Sequence, residues 1–163
     1  MKELVINLLK QRGVKLKAIA EIVYELQVPY NPNLTLEDCI INVERVFEKR
    51  EVQHTILTGL ALDKMAEDDK LEEPLATIIK TDEPLYGIDE SLAMTIANIY
   101  GTIGVTSFGY LDKEKTGIIK KLDNSQGRVD TFLDDIVAGI ASAASARLAH
   151  QLKQEEQEQA EIS

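Results

Sequence analysis

The feature that most constrains this chain is an uncharged run from Ser91 to Leu111. A transmembrane helix needs about 20 mostly apolar residues, so the run is long enough to cross a bilayer. Hydroxyl and amide side chains recur along it, however, and glycines interrupt it at positions 101, 104 and 109. We therefore predict a buried central helix from Ile88 to Tyr100, followed by a turn at YGTIG. Membrane insertion is the weaker alternative.

Apolar residues elsewhere repeat at helical spacing, and no segment alternates in the manner of a strand. The pattern predicts an all-α fold, a compact multi-helix bundle around a buried central helix. We expect one helical domain over residues 1–150 and a polar, acidic tail over 151–163. Four further helices are predicted in the N-terminal half: from Leu4 to before Gly13, over 15–27, over 35–49 and over 51–69. Thr35 and Asp38 are expected to cap the third of them. Shorter helical segments are predicted in EEPLATIIKTDEP and LDKEKTGIIKKLD, and a last helix from about Val129 past His150.

The net charge of −10 excludes a nucleic-acid binder that depends on positive charge, because such a chain repels phosphate backbones. The single cysteine, Cys39, cannot form an internal disulfide, and it lies on an apolar helix face, which indicates a core residue. The N-terminal stretch lacks the long apolar run of a signal peptide. These features predict a cytoplasmic protein.

Common catalytic patterns are missing from the sequence, which has two histidines, His54 and His150, and neither zinc-ligand spacing nor a GxSxG or Walker-type loop. Acidic residues in apolar surroundings remain. Asp134 and Asp135 lie within LDDIV, and because successive helical residues are about 100° apart, one of them must approach the apolar face. An ionised carboxylate there must be paired or bound to a metal.

A second acidic pair, Asp89 and Glu90, lies at the start of the predicted central helix, immediately before the uncharged run. Asp89 has the alternative role of a helix N-cap, whereas Glu90 lies on a face that continues into the core. A stripe of small residues after Asp135 predicts close packing against the uncharged helix, which would bring the two acidic pairs together; the stripe is Gly139, Ser142, Ala143 and Ala146. Two such pairs can bind a hard cation such as Mg²⁺.

Three motifs in this order resemble the phosphatidylglycerophosphatase A family: IDE at Ile88–Glu90, FGYLDKEKTGIIKKLDN at Phe108–Asn124 and LDDIVAGI at Leu133–Ile140. TGLALDKMAE at Thr58–Glu67 is a weaker match, and the resemblance covers residues 51–150. Members of that family are magnesium-dependent phosphatases that convert phosphatidylglycerophosphate to phosphatidylglycerol. The missing transmembrane segments indicate a soluble branch of the family, acting in the cytoplasm or at the inner membrane face.

The resemblance also implies roles for individual residues. Lys115 becomes both a catalytic and a substrate-binding residue, and Asp112 and Asp123 become substrate-binding residues. The catalytic carboxylates implied are Asp89, Glu90, Asp134 and Asp135, and the implied Mg²⁺ ligands are Glu90, Asp134 and Asp135.

Two other functions stay open at this point. The same site can serve a different, soluble phosphomonoester, or the bundle can be a non-catalytic helical protein that acts by association. We also expect a phosphorylated substrate, which is a phospholipid at the membrane surface if the family's activity is kept. A small helical bundle of this kind is further expected to form a homo-oligomer.

Overall fold

The computed structural model describes residues 1–162, apart from the side chains at 156, 159, 161 and 162. Within that range the chain forms nine α-helices and no strand, which confirms the predicted all-α class. The helices are α1 (Lys2–Gln11), α2 (Leu16–Gln27), α3 (Leu36–Val46), α4 (Arg50–Glu67), α5 (Leu75–Lys80), α6 (Ile88–Ala97), α7 (Thr102–Glu114), α8 (Gly117–Asp123) and α9 (Leu133–Ile162), with a 3₁₀ turn at Asn98–Tyr100.

The buried centre of the bundle is α9. Every residue from Asp130 to Ala146 is buried, and six other helices pack against α9: α2, α3, α4, α6, α7 and α8. The predicted bundle around a buried helix is thus confirmed, but the helix at its centre is α9. The helix from Ile88, which was predicted to be the centre, is α6. That helix packs along α9 and leaves Ile88 and Met94 partly exposed. Small side chains such as Gly139 and Ala146 let neighbouring helices approach α9 closely.

The uncharged run is divided at Gly101, whose φ of +80° suits glycine. Thr102 already begins α7, so the predicted turn at YGTIG is wrong beyond Gly101. A Cβ at Gly104 would lie 2.1 Å from the carbonyl oxygen of Ala97, so glycine is required where α7 passes the end of α6. Among the described residues, none of the helices combines the length and apolarity that crossing a membrane requires.

The helical passage predicted over LDKEKTGIIKKLD is present but is divided between two helices, the end of α7 and α8. Lys115 adopts the left-handed conformation, with φ of 48°, and ends α7, while α8 begins two residues later at Gly117. The chain direction therefore changes at Lys115. This change leaves its side chain facing the beginning of α9.

The last helix begins at Leu133 rather than at the predicted Val129, because long-range contacts hold the preceding residues outside the helix. The Arg12 guanidinium donates to the Val129 carbonyl and, at 2.7 Å, to the Asp130 carboxylate. The Thr131 hydroxyl donates to the carbonyl of Ile79 at 2.6 Å. At its other end α9 continues to residue 162; the division into a domain at 1–150 and a tail at 151–163 stays a prediction, and residue 163 lies outside the described residues.

Candidate functional site

The beginning of α9 carries two buried acidic residues, Asp134 and Asp135. Asp63, a fully buried residue of α4, fixes the position at which α9 begins. One Asp63 oxygen accepts the backbone N–H of Phe132 and the other accepts that of Leu133, each at 3.0 Å. N–H groups in the first turn of a helix have no partner within the helix, so accepting oxygens from the carboxyl group of another helix stabilise them and fix where the helix starts. Asp63 thereby positions the aspartates that follow.

A close approach of α6 and α9 brings the two acidic pairs together. A Cβ at Gly139 would lie only 2.8 Å from the carbonyl oxygen of Ala93, so only glycine permits this distance between the helices. One turn earlier on each helix lie Asp135 on α9 and Asp89 with Glu90 on α6. The predicted packing of the small-residue stripe against the uncharged helix is therefore confirmed at its first position.

Asp89, Glu90 and Asp135 form a cluster that we call the acidic trio. Each offers one carboxylate oxygen, and these three oxygens lie within 4.8 Å of one another. Each residue of the trio also has a buried oxygen without a hydrogen-bond partner among residues 1–162: Asp89 Oδ1, Glu90 Oε2 and Asp135 Oδ1. A buried polar atom that lacks a partner costs roughly 1–3 kcal/mol, and more when it is charged. The trio therefore favours a positively charged ligand.

The ammonium group of Lys115 lies among four aspartates next to the trio. Its Nζ is 2.8 Å from Asp134 Oδ2, 3.2 Å from Asp112 Oδ1, 3.6 Å from Asp135 Oδ1 and 3.8 Å from Asp123 Oδ1. The Lys115 side chain is 24% exposed, so a molecule from solvent can reach it.

Burial controls the protonation of this site. Burial, with the nearby charge of Asp134, raises the pKa of Asp135 to about 9, and burial with the adjacent Glu90 carboxylate raises the pKa of Asp89 to about 7. Burial also raises the pKa of Asp134 to about 6, although Lys115 opposes that change. Burial favours the neutral amine of Lys115, but the surrounding aspartates outweigh it and raise the pKa of this group. One cation thus lies among more carboxyl groups than it can keep ionised, and in the absence of a further cation Asp135 keeps its proton at neutral pH.

The donor set of the trio fits a hard divalent cation. Mg²⁺ and Ca²⁺ bind carboxylate oxygens, whereas zinc sites are built mainly from His and Cys, and all three residues of the trio are acidic. A bound cation would also pair the buried oxygens that otherwise lack partners. The trio can therefore bind a metal ion.

All the residues predicted for the site lie close together, although their roles stay predictions. The predicted metal ligands were Glu90, Asp134 and Asp135, whereas the structure groups Asp89 with Glu90 and Asp135 and pairs Asp134 with Lys115. The alternative role of Asp89 as an N-cap is wrong, because Gly87 occupies the N-cap position of α6.

Two residues near the site were missed by the sequence analysis. Asp63 had a usable signal, since it is a lone acid on the buried face of α4, three residues after Leu60 and three before Ala66. Asp82 had no such signal, because it lies in the loop between α5 and α6. Burial raises the pKa of Asp82, while the charge of Lys115 lowers it, so this carboxylate belongs to the same electrostatic group.

The sequence is similar to those of known proteins over most of its length. The sequence model of the family described as phosphatidylglycerophosphatase A matches residues 5–150, so the match extends well before the predicted start at residue 51. The uncharacterized protein YpjQ of Bacillus subtilis is 57% identical over 158 residues, covering 95% of this chain and 89% of YpjQ. YutG, an uncharacterized protein of the same organism, is 56% identical over 149 residues, covering 91% of this chain and 90% of YutG.

Solved structures share the fold as well. The crystal structure of the low temperature requirement C protein from Listeria monocytogenes is 52% identical and superposes with a TM-score of 0.91. The match covers 93% of this chain and 96% of the Listeria chain.

Proposed function

This chain belongs to the phosphatidylglycerophosphatase A family, and on that premise we propose that it is a Mg²⁺-dependent phosphatase that removes the terminal phosphate of phosphatidylglycerophosphate. The observation that carries the proposal is the acidic trio, whose buried oxygens lack partners, beside the partly exposed ammonium of Lys115. A metal site beside a cationic side chain suits phosphomonoester hydrolysis, because both can offset the negative charge of the phosphate.

Asp89, Glu90 and Asp135 would hold the Mg²⁺ ion. When bound, Mg²⁺ would offset the charge of the phosphate and lower the pKa of a nearby water molecule. Lys115 would bind a phosphate oxygen next to that ion. Its ammonium is kept in position by the 2.8 Å bond to Asp134, so the positive charge is already oriented before the substrate arrives.

Asp112 and Asp123 lie at the opening of the site, where about a third of each side chain is exposed (35% and 32%). Carboxylates repel a phosphate but accept hydrogen bonds from hydroxyl groups. We therefore assign these two residues to the glycerol part of the headgroup, in addition to their contacts with Lys115.

Hydrolysis forms a bond between phosphorus and a water oxygen and breaks the bond between phosphorus and the glycerol oxygen. The water must lose a proton, and the departing glycerol oxygen must gain one. Asp134 is our candidate for the base that takes the water proton, since it adjoins the trio without belonging to it and burial brings its pKa to about 6, near neutral pH. The departing glycerol oxygen takes its proton from solvent. The products are inorganic phosphate and phosphatidylglycerol.

The test measures phosphate release from phosphatidylglycerophosphate by the purified protein with Mg²⁺. The variants Asp134→Asn and Glu90→Gln should each lower the rate by about a hundredfold or more while the thermal unfolding temperature stays within a few degrees. Glu44→Gln changes an exposed acid on α3 in the same way and serves as the control. Equal rates in the wild type and both site variants would contradict the proposal.

A panel of soluble phosphomonoesters separates the site from the substrate. Release from one of these compounds and not from the lipid would keep the catalytic site and replace the proposed substrate.

A further inference from the structure

The loop between α5 and α6 carries an exposed apolar tip next to the acidic trio. Leu85 is fully exposed and Ile88 is 54% exposed, and the trio residues Asp89 and Glu90 follow directly on α6. Leu85 also has a positive φ of 69°, a conformation that costs a branched side chain roughly 1–2 kcal/mol. The fold thus holds a large apolar side chain in solvent at an energetic cost, beside its candidate site.

Neighbouring residues anchor this loop to the site on both sides of Leu85. The Tyr86 ring packs edge-to-face on Phe132, with centroids 6.1 Å apart and planes at 86°, and Phe132 immediately precedes α9. On the other side, Asp82 lies within the electrostatic field of Lys115. Because the Tyr86 ring packs inward while Leu85 is fully exposed, Leu85 points away from the body of the protein at the rim of the site.

We propose that Leu85 and Ile88 insert into the surface of a lipid bilayer and so bring the acidic trio to a phosphate headgroup. This inference rests on the proposed function, because a diacyl lipid keeps its acyl chains in the membrane while its phosphate is hydrolysed. Apolar insertion is the mechanism open to this protein, since its net charge of −10 repels anionic lipid surfaces.

A second copy of the chain is a poorer partner for this tip. A stable protein interface buries about 1,200–2,000 Å² in total, whereas the tip offers two apolar side chains flanked by Pro84 and the acidic Glu83. Binding to a bilayer also grows with the apolar area inserted, but weak and reversible binding by a few side chains is enough to bring an enzyme to its lipid substrate. Docking by apolar contact should also persist at high salt, unlike attachment by charge.

The variant Leu85→Asn tests the proposal without risk to folding. Asn tolerates the left-handed conformation better than Leu, so the thermal unfolding temperature should stay the same or rise. The control is Ile41→Gln, which removes an exposed apolar side chain from α3 near Leu148, toward the opposite end of α9. Both proteins are compared with the wild type by sedimentation with vesicles of phosphatidylcholine alone.

We expect Leu85→Asn to weaken vesicle binding by roughly tenfold, at low and high salt alike, and Ile41→Gln to leave it unchanged. Failure of the wild type to bind vesicles, or equal binding by Leu85→Asn, would overturn the proposal. Self-association that depends on Leu85, without vesicle binding, would overturn it in favour of a second copy.

An activity assay separates this inference from the proposed function. Leu85→Asn should hydrolyse a short-chain, water-soluble phosphatidylglycerophosphate at the wild-type rate but act about tenfold more slowly on the long-chain lipid in vesicles. If the wild type hydrolyses neither substrate, the proposed function fails, while the sedimentation result still decides whether the tip docks on lipid. Equal slowing on both substrates would contradict a docking role.

Discussion

A methyl group at position 139 should push apart the two helices that carry the acidic trio. In Gly139→Ala the new Cβ would lie 2.8 Å from the Ala93 carbonyl oxygen and 3.5 Å from the Ile96 Cβ. Carbon and carbonyl oxygen normally approach to about 3.3–3.6 Å, so α6 must retreat by about 0.5 Å. Backbone cannot rotate aside as a flexible side chain can, and the displacement is passed to Asp89 and Glu90 one turn away.

The size of the effect follows from two opposing contributions. Overpacking costs about 1–3 kcal/mol, and Ala is favoured over Gly within a helix by about 0.5–1 kcal/mol, so the free energy of unfolding should fall by roughly 1–2 kcal/mol. Mg²⁺ requires near-ideal distances of about 2.0–2.1 Å to its ligand oxygens, and the groups of a binding site must be held within about 0.5 Å of the productive geometry. A shift of about 0.5 Å therefore reaches that limit. We therefore expect Mg²⁺ affinity and phosphate release to fall by roughly tenfold.

Gly109→Ala is the matched control. Gly109 is exposed on α7 and a Cβ there meets nothing within 4 Å. The free energy of unfolding of this variant should therefore rise by about 0.5–1 kcal/mol, and its activity should be unchanged. Urea unfolding gives the stability of each variant, and titration calorimetry gives its Mg²⁺ affinity. A Gly139→Ala protein with wild-type metal affinity would refute the claim that this close approach sets the geometry of the trio.

Three further changes have defined outcomes. Asp63→Asn turns one accepting oxygen into an N–H donor that faces a backbone N–H. Urea unfolding should therefore show a free energy of unfolding lower by about 1–3 kcal/mol. Unchanged stability would argue against the fixing of the start of α9 by Asp63. Lys115→Met should lower kcat/KM by about 10²–10³-fold while Mg²⁺ still binds; loss of metal binding instead would show that Lys115 organises the trio. In metal-free protein the pKa of Asp135 is higher in the folded than in the unfolded state, so protonated Asp135 favours folding. Its contribution to the free energy of unfolding is complete below the ordinary pKa of 3.8 and is lost as the pH rises through about 9. Thermal unfolding without metal should therefore occur at lower temperature as the pH increases, less so with Mg²⁺ or in Asp135→Asn.

Local patterns predicted much of the helical framework. Apolar spacing located the first five helices to within a few residues at most ends, and the Thr35–Asp38 pair forms the expected capping box. The small-residue stripe at Gly139 indicated which two helices meet. These features depend on residues a few positions apart, which sequence displays directly.

Features set by distant contacts were not predictable in the same way. The start of α9 depends on Asp63, 69 residues before Phe132. The break at Lys115 depends on a left-handed backbone that favours Gly or Asn over Lys, and its benefit is contact with Asp134, 19 residues away. Homo-oligomer formation and the cellular compartment stay predictions.

Titration of the metal-free protein with Mg²⁺, with Asp135→Asn beside the wild type and Glu44→Gln as control, shows whether the acidic trio binds the ion. We expect one Mg²⁺ bound per wild-type and control chain and a large loss of affinity in Asp135→Asn. Undiminished binding by Asp135→Asn would show that the ion, and with it the proposed catalysis, does not depend on the acidic trio.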